Sequence, residues 1–251
     1  MIDFLFDLWQ DSAMDYFFTL EKDLPAGVGF RLWGKEHIEW LLIALALGTA
    51  LCACYRRAGE GGRRALRRGL GCAVLLCEIL KDANLIVQGG FGIYYLPLHL
   101  CGLAVFFTFY HSLRPGETLG NFLYSCCMPG AAFALLFPDW TMFPAFSYHS
   151  IVAFAVHTLL VFYPLMLVLG GFFRPAPRFL PRCCAILAAL AGLIYLFDRA
   201  FSANYLFLLA PAAGSPLEWF ASFLGNPGYL LGYIPMLALI WGLLYLPFRK
   251  A

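Results

Sequence analysis

Seven apolar stretches, each close to the roughly 20 residues that cross a bilayer, divide the chain at about 38–56, 69–88, 93–113, 119–138, 148–172, 182–209 and 227–248. Short connections separate them, so consecutive segments are expected to run antiparallel. The sixth is overlong and carries Ser202 and Asn204 near its end, which predicts a tilted or protruding helix. Upstream, Ile2, Leu5, Phe6, Trp9, Phe17 and Leu20 recur at helical spacing, while Asp3, Asp7, Asp11 and Asp15 form an i,i+4 row. That pattern predicts an amphipathic helix with an acidic stripe. Like charges at that spacing weaken an isolated helix, so it is expected to rest on a membrane surface or the protein body. With no basic start and no small-residue cleavage site, residues 1–20 do not read as a signal peptide. A loop containing Pro25, Gly27 and Gly29 follows. The expected fold is all-α. Residues 1–35 form an N-terminal amphipathic interfacial helix and loop, and residues 36–251 form a polytopic domain of seven transmembrane helices.

Composition agrees with the pattern. Of 251 residues, 62% are hydrophobic and 13% charged, with a mean hydropathy of +0.75, whereas soluble domains carry about 25% charged residues. The net charge of +2 decides little, but its distribution decides orientation. Arg56, Arg57, Arg63, Arg64, Arg67 and Arg68 crowd the first connection. Arg114 lies in the third, Arg174, Arg178 and Arg182 in or beside the fifth, and Arg249 and Lys250 at the C-terminus. The second, fourth and sixth connections have no Lys or Arg. The positive-inside rule then places the N-terminus outside and the C-terminus in the cytoplasm. No basic cluster with interleaved aromatics points to nucleic acid. The nine cysteines lie in or at the ends of apolar segments, so they read as packing residues rather than a disulfide framework. No Cys/His spacing resembles a zinc site, and no cofactor is expected.

The candidate chemistry is the polar residues that interrupt the apolar segments. Glu78, Lys81 and Asp82 share a face of the second segment, with Asn84 beyond them, and Asp198 and Arg199 sit in the sixth. A charge at such depth costs roughly 2.5–3.5 kcal/mol even on the lenient scale, so it normally faces an interior and finds a partner. Ion-pairing within Glu78/Lys81/Asp82, and of Asp198 and Arg199 across helices, is the plainest expectation. His99 and Cys101 of Leu-Pro-Leu-His-Leu-Cys (96–101), His157, Asn204 and Tyr205 complete the set. With the orientation above, these groups fall in one slab near the outer leaflet. That clustering predicts an outward-facing polar cavity. His99 and Cys101 lie about 200° apart around a regular helix, so they share a cavity only where Pro97 distorts the first turn. A Cys–His pair is more readily made between helices, with His157 beside Cys101 or His99. A nucleophilic Cys101 needs a neighbouring imidazole or cation to yield a thiolate. His37, His111 and His149 fall at segment ends, where a membrane-interface role suffices.

Several motifs together resemble the bacterial YwaF family of integral membrane proteins, related to animal transmembrane protein 164. They are Leu-Pro-Leu-His-Leu-Cys at 96–101, Ser-Tyr-His-Ser at 147–150 with His157 following, Asn204-Tyr205-Leu206-Phe207-Leu208, Leu224-Gly225-Asn226-Pro227-Gly228-Tyr229, and Leu246-Pro247-Phe248. The resemblance spans about residues 35–248. It implies a bacterial plasma-membrane location and, from the animal branch, a cysteine acyltransferase activity on ether phospholipids that uses a Cys and a His. The animal branch's cysteine immediately precedes the third-helix histidine. Here that position is Leu98 and the thiol is Cys101, while His157 best matches the partner histidine.

Three functions are therefore expected in competition. The first is a lipid-modifying acyltransferase or hydrolase, with His99, His157 and Cys101 catalytic and Glu78, Lys81, Asp82, Asn84, Asp198, Arg199, Asn204 and Tyr205 binding membrane lipid. The second is a transporter or solute-binding module using the intramembrane charges as ligands. Against it, seven spans do not split into two equal repeats. The third is a regulatory scaffold that docks a protein partner through the acidic N-terminal helix.

Overall fold

The structure, a computed structural model, describes residues 16–212 and 214–248. The acidic row Asp3–Asp15 lies outside the described residues. Residues 16–20 do not continue a helix: Tyr16–Phe18 form a turn, and Leu20 is buried. The Phe17 carbonyl accepts the Tyr148 N–H at 2.8 Å. This satisfies one of the donors left free at the start of a helix, so tertiary packing overrides the periodicity there.

All regular structure among the described residues is helical. The main elements are α1 (Lys35–Arg57), α2 (Glu60–Val87), α3 (Leu100–Leu113), α4 (Glu117–Leu136), α5 (Tyr148–Leu169), α6 (Leu180–Phe201), α7 (Pro216–Leu224) and α8 (Tyr233–Tyr245). Helices thus fall on all seven predicted segments, but five are both long and apolar enough to cross a membrane: α1, α4, α5, α6 with its leading turn, and α8 with its flanking turns. Among the other two, α3 is apolar but has 14 residues, and α2 has 28 residues but carries charges at both ends. The short α7 escaped the span-based reading because nine residues cannot cross. It exposes Trp219 and Phe223.

Helix α5 is the hub and packs against α1, α2, α3 and α4. It buries Phe154, Leu160, Tyr163, Met166 and Leu167. By contrast α1, α6 and α8 expose rows of leucine, including Leu47, Leu196 and Leu239. In water such patches would mark an interface; on a chain of this composition they face lipid. Close approach is made by small residues, as expected where lipid supplies no hydrophobic drive. A side chain at Gly48 would run into the Phe162 ring, and one at Gly71 into Ser112.

Two irregularities have local causes. Pro129 has no N–H, so it leaves the Ser125 carbonyl without its helical donor. The chain takes a π-helical turn over Leu123–Cys127, and the Trp241 indole N–H donates to that carbonyl at 2.9 Å. Helix α6 stops at Ser202, whose φ of 55° is left-handed, and Asp198 Oδ1 accepts the Tyr205 N–H at 3.0 Å. The overlong sixth segment is therefore a helix followed by a folded loop, not one protruding helix.

At the arginine-rich end, Arg63 ties three elements together. Its guanidinium donates to the carbonyls of Tyr55, Arg56 and Ala58 at the end of α1, and to Gly170 at the end of α5. Those carbonyls are among the orphan acceptors of helix termini. Arg63→Ala is expected to cost about 2–3 kcal/mol, since hydrogen bonds from a charged donor are the stronger kind. Arg63→Lys should restore little, because an ammonium cannot reproduce the fork. Thermal unfolding in detergent micelles checks both.

Candidate functional site

At the end opposite the arginines, the second half of α2, the start of α3, the loop after α4, the first half of α5 and the end of α6 converge. The Pro97 motif is arranged differently from its helical reading. Pro97 keeps Leu96 extended (ψ 144°), and the chain turns so that Leu98 N donates to Leu96 O at 2.8 Å. Helix α3 starts only at Leu100, with His99 as its extended N-cap (φ −65°, ψ 153°). The 200° separation of His99 and Cys101 thus does not apply, because His99 is outside the helix. Gly102 permits this fold-back: a Cβ there would lie 2.7 Å from the Pro97 Cα.

The His99 ring packs edge-on against Tyr205, centroids 4.8 Å apart, and beside Phe207 at 5.3 Å. His157 stacks on Trp140, centroids 4.9 Å apart at 22°. Its Nδ1 lies 2.7 Å from the Ala153 carbonyl. A carbonyl only accepts, so Nδ1 carries the proton and the neutral ring keeps its lone pair on Nε2. The two imidazoles belong to one electrostatic neighbourhood. Asp139 and Lys81 act on both, His99 acts on His157, and Asp198 acts on His99. Lys81 also reaches His149, whose ring stacks on Phe143 at 4.7 Å.

The remaining candidates divide. Lys81 Nζ lies 2.6 Å from Glu78 Oε1 and 3.4 Å from Asp82 Oδ1, so the expected ion-pair face of α2 forms. Asn84 Oδ1 accepts from Gln88, while its Nδ2 is buried without a partner. Asp198 is fully buried with Oδ2 unpartnered, and the ion pairs expected of Asp198 and Arg199 across helices are absent among the described residues. Arg199 is exposed, one residue and about 100° further round the helix. Asn204 is spent on the loop. Its Oδ1 accepts from Leu209 and Ala210 N–H, and its Nδ2 donates to Ala210 O. The Tyr205 hydroxyl donates to Ile93 O. Tyr229 and Tyr233 donate to Phe207 O and Leu206 O. These bonds hold Leu206 and Phe207, both at φ 53°, in a strained left-handed conformation next to His99.

Cys101 is half-buried against the main core. The Asp139 and Glu78 carboxylates act on it, and it makes no hydrogen bond to either imidazole among the described residues. All nine cysteines are free, with Cys126, Cys127 and Cys183 buried as packing residues. His37 and His111 are buried too, at 0% and 2% exposure, so the interface reading fails for them. His37 is bonded to Trp33 N and Leu135 O, and His111 to the Tyr163 hydroxyl.

Asp139 and Trp140 are the contributors that the segment boundaries missed, one residue past the end of the fourth apolar stretch. The signal was an acid beside a tryptophan in a connection lacking Lys or Arg, since interfacial Trp is common but an adjacent lone carboxylate is not. No curated protein and no solved structure matches the chain. The TMEM164 family model matches residues 32–245, a range that includes every imidazole and carboxylate of this cluster, so the chain belongs to the TMEM164 family.

Proposed function

We propose that the chain is a seven-span membrane enzyme that transfers or hydrolyses acyl groups on lipids, with its polar cluster in the outer half of the bilayer, its N-terminus outside and its C-terminus cytoplasmic. The observation that carries this reading is the Nε2 lone pair of His157, fixed by the Ala153 bond and by the stack on Trp140. An imidazole so held is a general base. It takes the proton of an attacking hydroxyl, from water or a second lipid, as that oxygen bonds to an ester carbonyl. It returns the proton to the departing alkoxide. Asp139 and His99 sit within electrostatic reach of the imidazolium that forms in between. Lys81, balanced by Glu78 and Asp82, supplies a fixed dipole rather than a free cation. Lipid reaches the cluster laterally past the leucine-lined face of α6.

The test is lipid turnover by purified protein in liposomes of phosphatidylcholine and a lyso-ether phospholipid, followed by mass spectrometry. Turnover above protein-free liposomes is expected. Cys101→Ala should retain activity within about threefold, because among the described residues neither imidazole is hydrogen-bonded to the thiol, and an unactivated thiol is a weak nucleophile. Abolished activity in Cys101→Ala, with His157→Gln still active, would return the reaction to a thioester route.

A further inference from the structure

We propose that the arginine-rich end of the bundle contains a separate site for a phosphate group, carried by a lipid headgroup or free in solution. A cavity of about 510 Å³ opens there between the end of α3, the connection to α4 and the loop that follows α5. A second of about 410 Å³ adjoins it and shares Phe173, Arg174 and Phe248. Arg174 and Arg178 line the first. Its single carboxylate, Glu117, lies 3.9 Å from Arg178, and both side chains are largely exposed, a geometry worth little as an ion pair.

The independent observation is Arg67, which is not itself in the lining but packs on a residue that is. It is 8% exposed, donates from Nε to Ser112 O at 3.1 Å, and lies 4.8 Å over the ring of Phe172, which lines the cavity. No carboxylate lies within 4 Å of it among the described residues. A buried arginine is normally paired, and leaving the charge uncompensated is costly. An anion in the adjoining cavity offsets that cost. His111 also lines the cavity, with Nδ1 bonded to the Tyr163 hydroxyl at 2.9 Å. When that hydroxyl donates, the ring proton sits on Nε2, a further donor for an anion. Guanidinium groups match phosphate geometry. The apolar walls, Phe172, Phe173, Phe248 and three prolines, suit the glycerol and upper acyl chain of a phospholipid.

The experiment uses the full chain in phosphatidylcholine nanodiscs doped with phosphatidylglycerol, with retained lipid counted by native mass spectrometry. The exposed pair is replaced as Arg174→Ala with Arg178→Ala, which leaves the buried Arg67 in place. That double variant should lower phosphatidylglycerol retention about tenfold, as loss of charge-assisted bonds implies. Arg64→Ala with Arg68→Ala, exposed arginines on the same end, should not. Displacement of the lipid by millimolar inorganic phosphate would support the site and assign it to soluble phosphate. Resistance to phosphate would support it and assign it to the headgroup. Equal losses in both double variants would reveal diffuse surface attraction and overturn the site. Unchanged retention in the Arg174/Arg178 variant, or none in the unaltered protein, would do so too.

Discussion

His157→Gln is expected to reduce lipid turnover roughly a hundredfold or more, the scale on which positioned acid–base catalysis acts, with little change in thermal stability. Glutamine retains an amide donor for the Ala153 carbonyl and a planar group beside Trp140, so the local packing survives. What it lacks is a nitrogen that accepts a proton and returns it. The variant therefore separates chemistry from structure. Turnover should collapse while the unfolding midpoint and detergent elution profile stay where they were. His99→Gln should be milder, because His99 is an N-cap packed against Tyr205 and Phe207 and acts on the reaction through His157. Its signature is a displaced pH–rate profile with residual turnover. If His157→Gln retained full activity with native stability, the base would have to be sought elsewhere in the cluster.

The helical segments were legible in the sequence because lipid leaves so few choices. A spanning backbone must satisfy its own hydrogen bonds, so apolar length alone located α1, α4, α5, α6 and α8. The gathering of polar groups at one end was legible for a related reason, since charges at depth are costly and stand out. Legibility failed where a residue's role depends on a partner far away in the chain. Asn204 and Tyr205 looked available for a ligand, yet their polar atoms close a loop around Leu206–Leu209 and reach Ile93. Pro97 announced a distortion, but not that the turn would expel His99 from the helix and set it against Tyr205, 106 positions later. Asp139 was passed over because it sits one residue beyond an apolar boundary, and such boundaries are the least certain part of a pattern. Arg199 failed differently. Adjacent residues on a helix point in different directions, and burial went to Asp198 alone.

His37→Ala is expected to destabilise the fold by about 3–5 kcal/mol, from two orphaned backbone groups and a cavity in a packed core. The imidazole is fully buried and uses both nitrogens. Trp33 N donates to Nδ1 at 3.0 Å, which fixes the proton on Nε2, and Nε2 donates to Leu135 O at 2.8 Å. Leu135 lies in the last turn of α4, where carbonyls lack helical donors, so His37 caps α4 from α1. Trp33 has a φ of 59°, a left-handed conformation that costs a non-glycine residue energy, and the bond to His37 holds it there. The ring also packs among Phe30, Trp33 and Phe154, the last stacked on Trp40 at 4.8 Å. Losing it should lower the thermal midpoint in micelles by about 10 °C, on the scaling for a chain of this length. His37→Phe refills the volume and leaves only the polar loss, so it should recover about half of the shift. A midpoint unchanged in His37→Ala would mean that α1 and α4 are held together without this bond. Because the same α4 end leads directly into Asp139 and Trp140, loosening it should also disturb the stack on His157. His37→Ala is therefore the variant in which stability and turnover fall together, whereas in His157→Gln turnover alone falls.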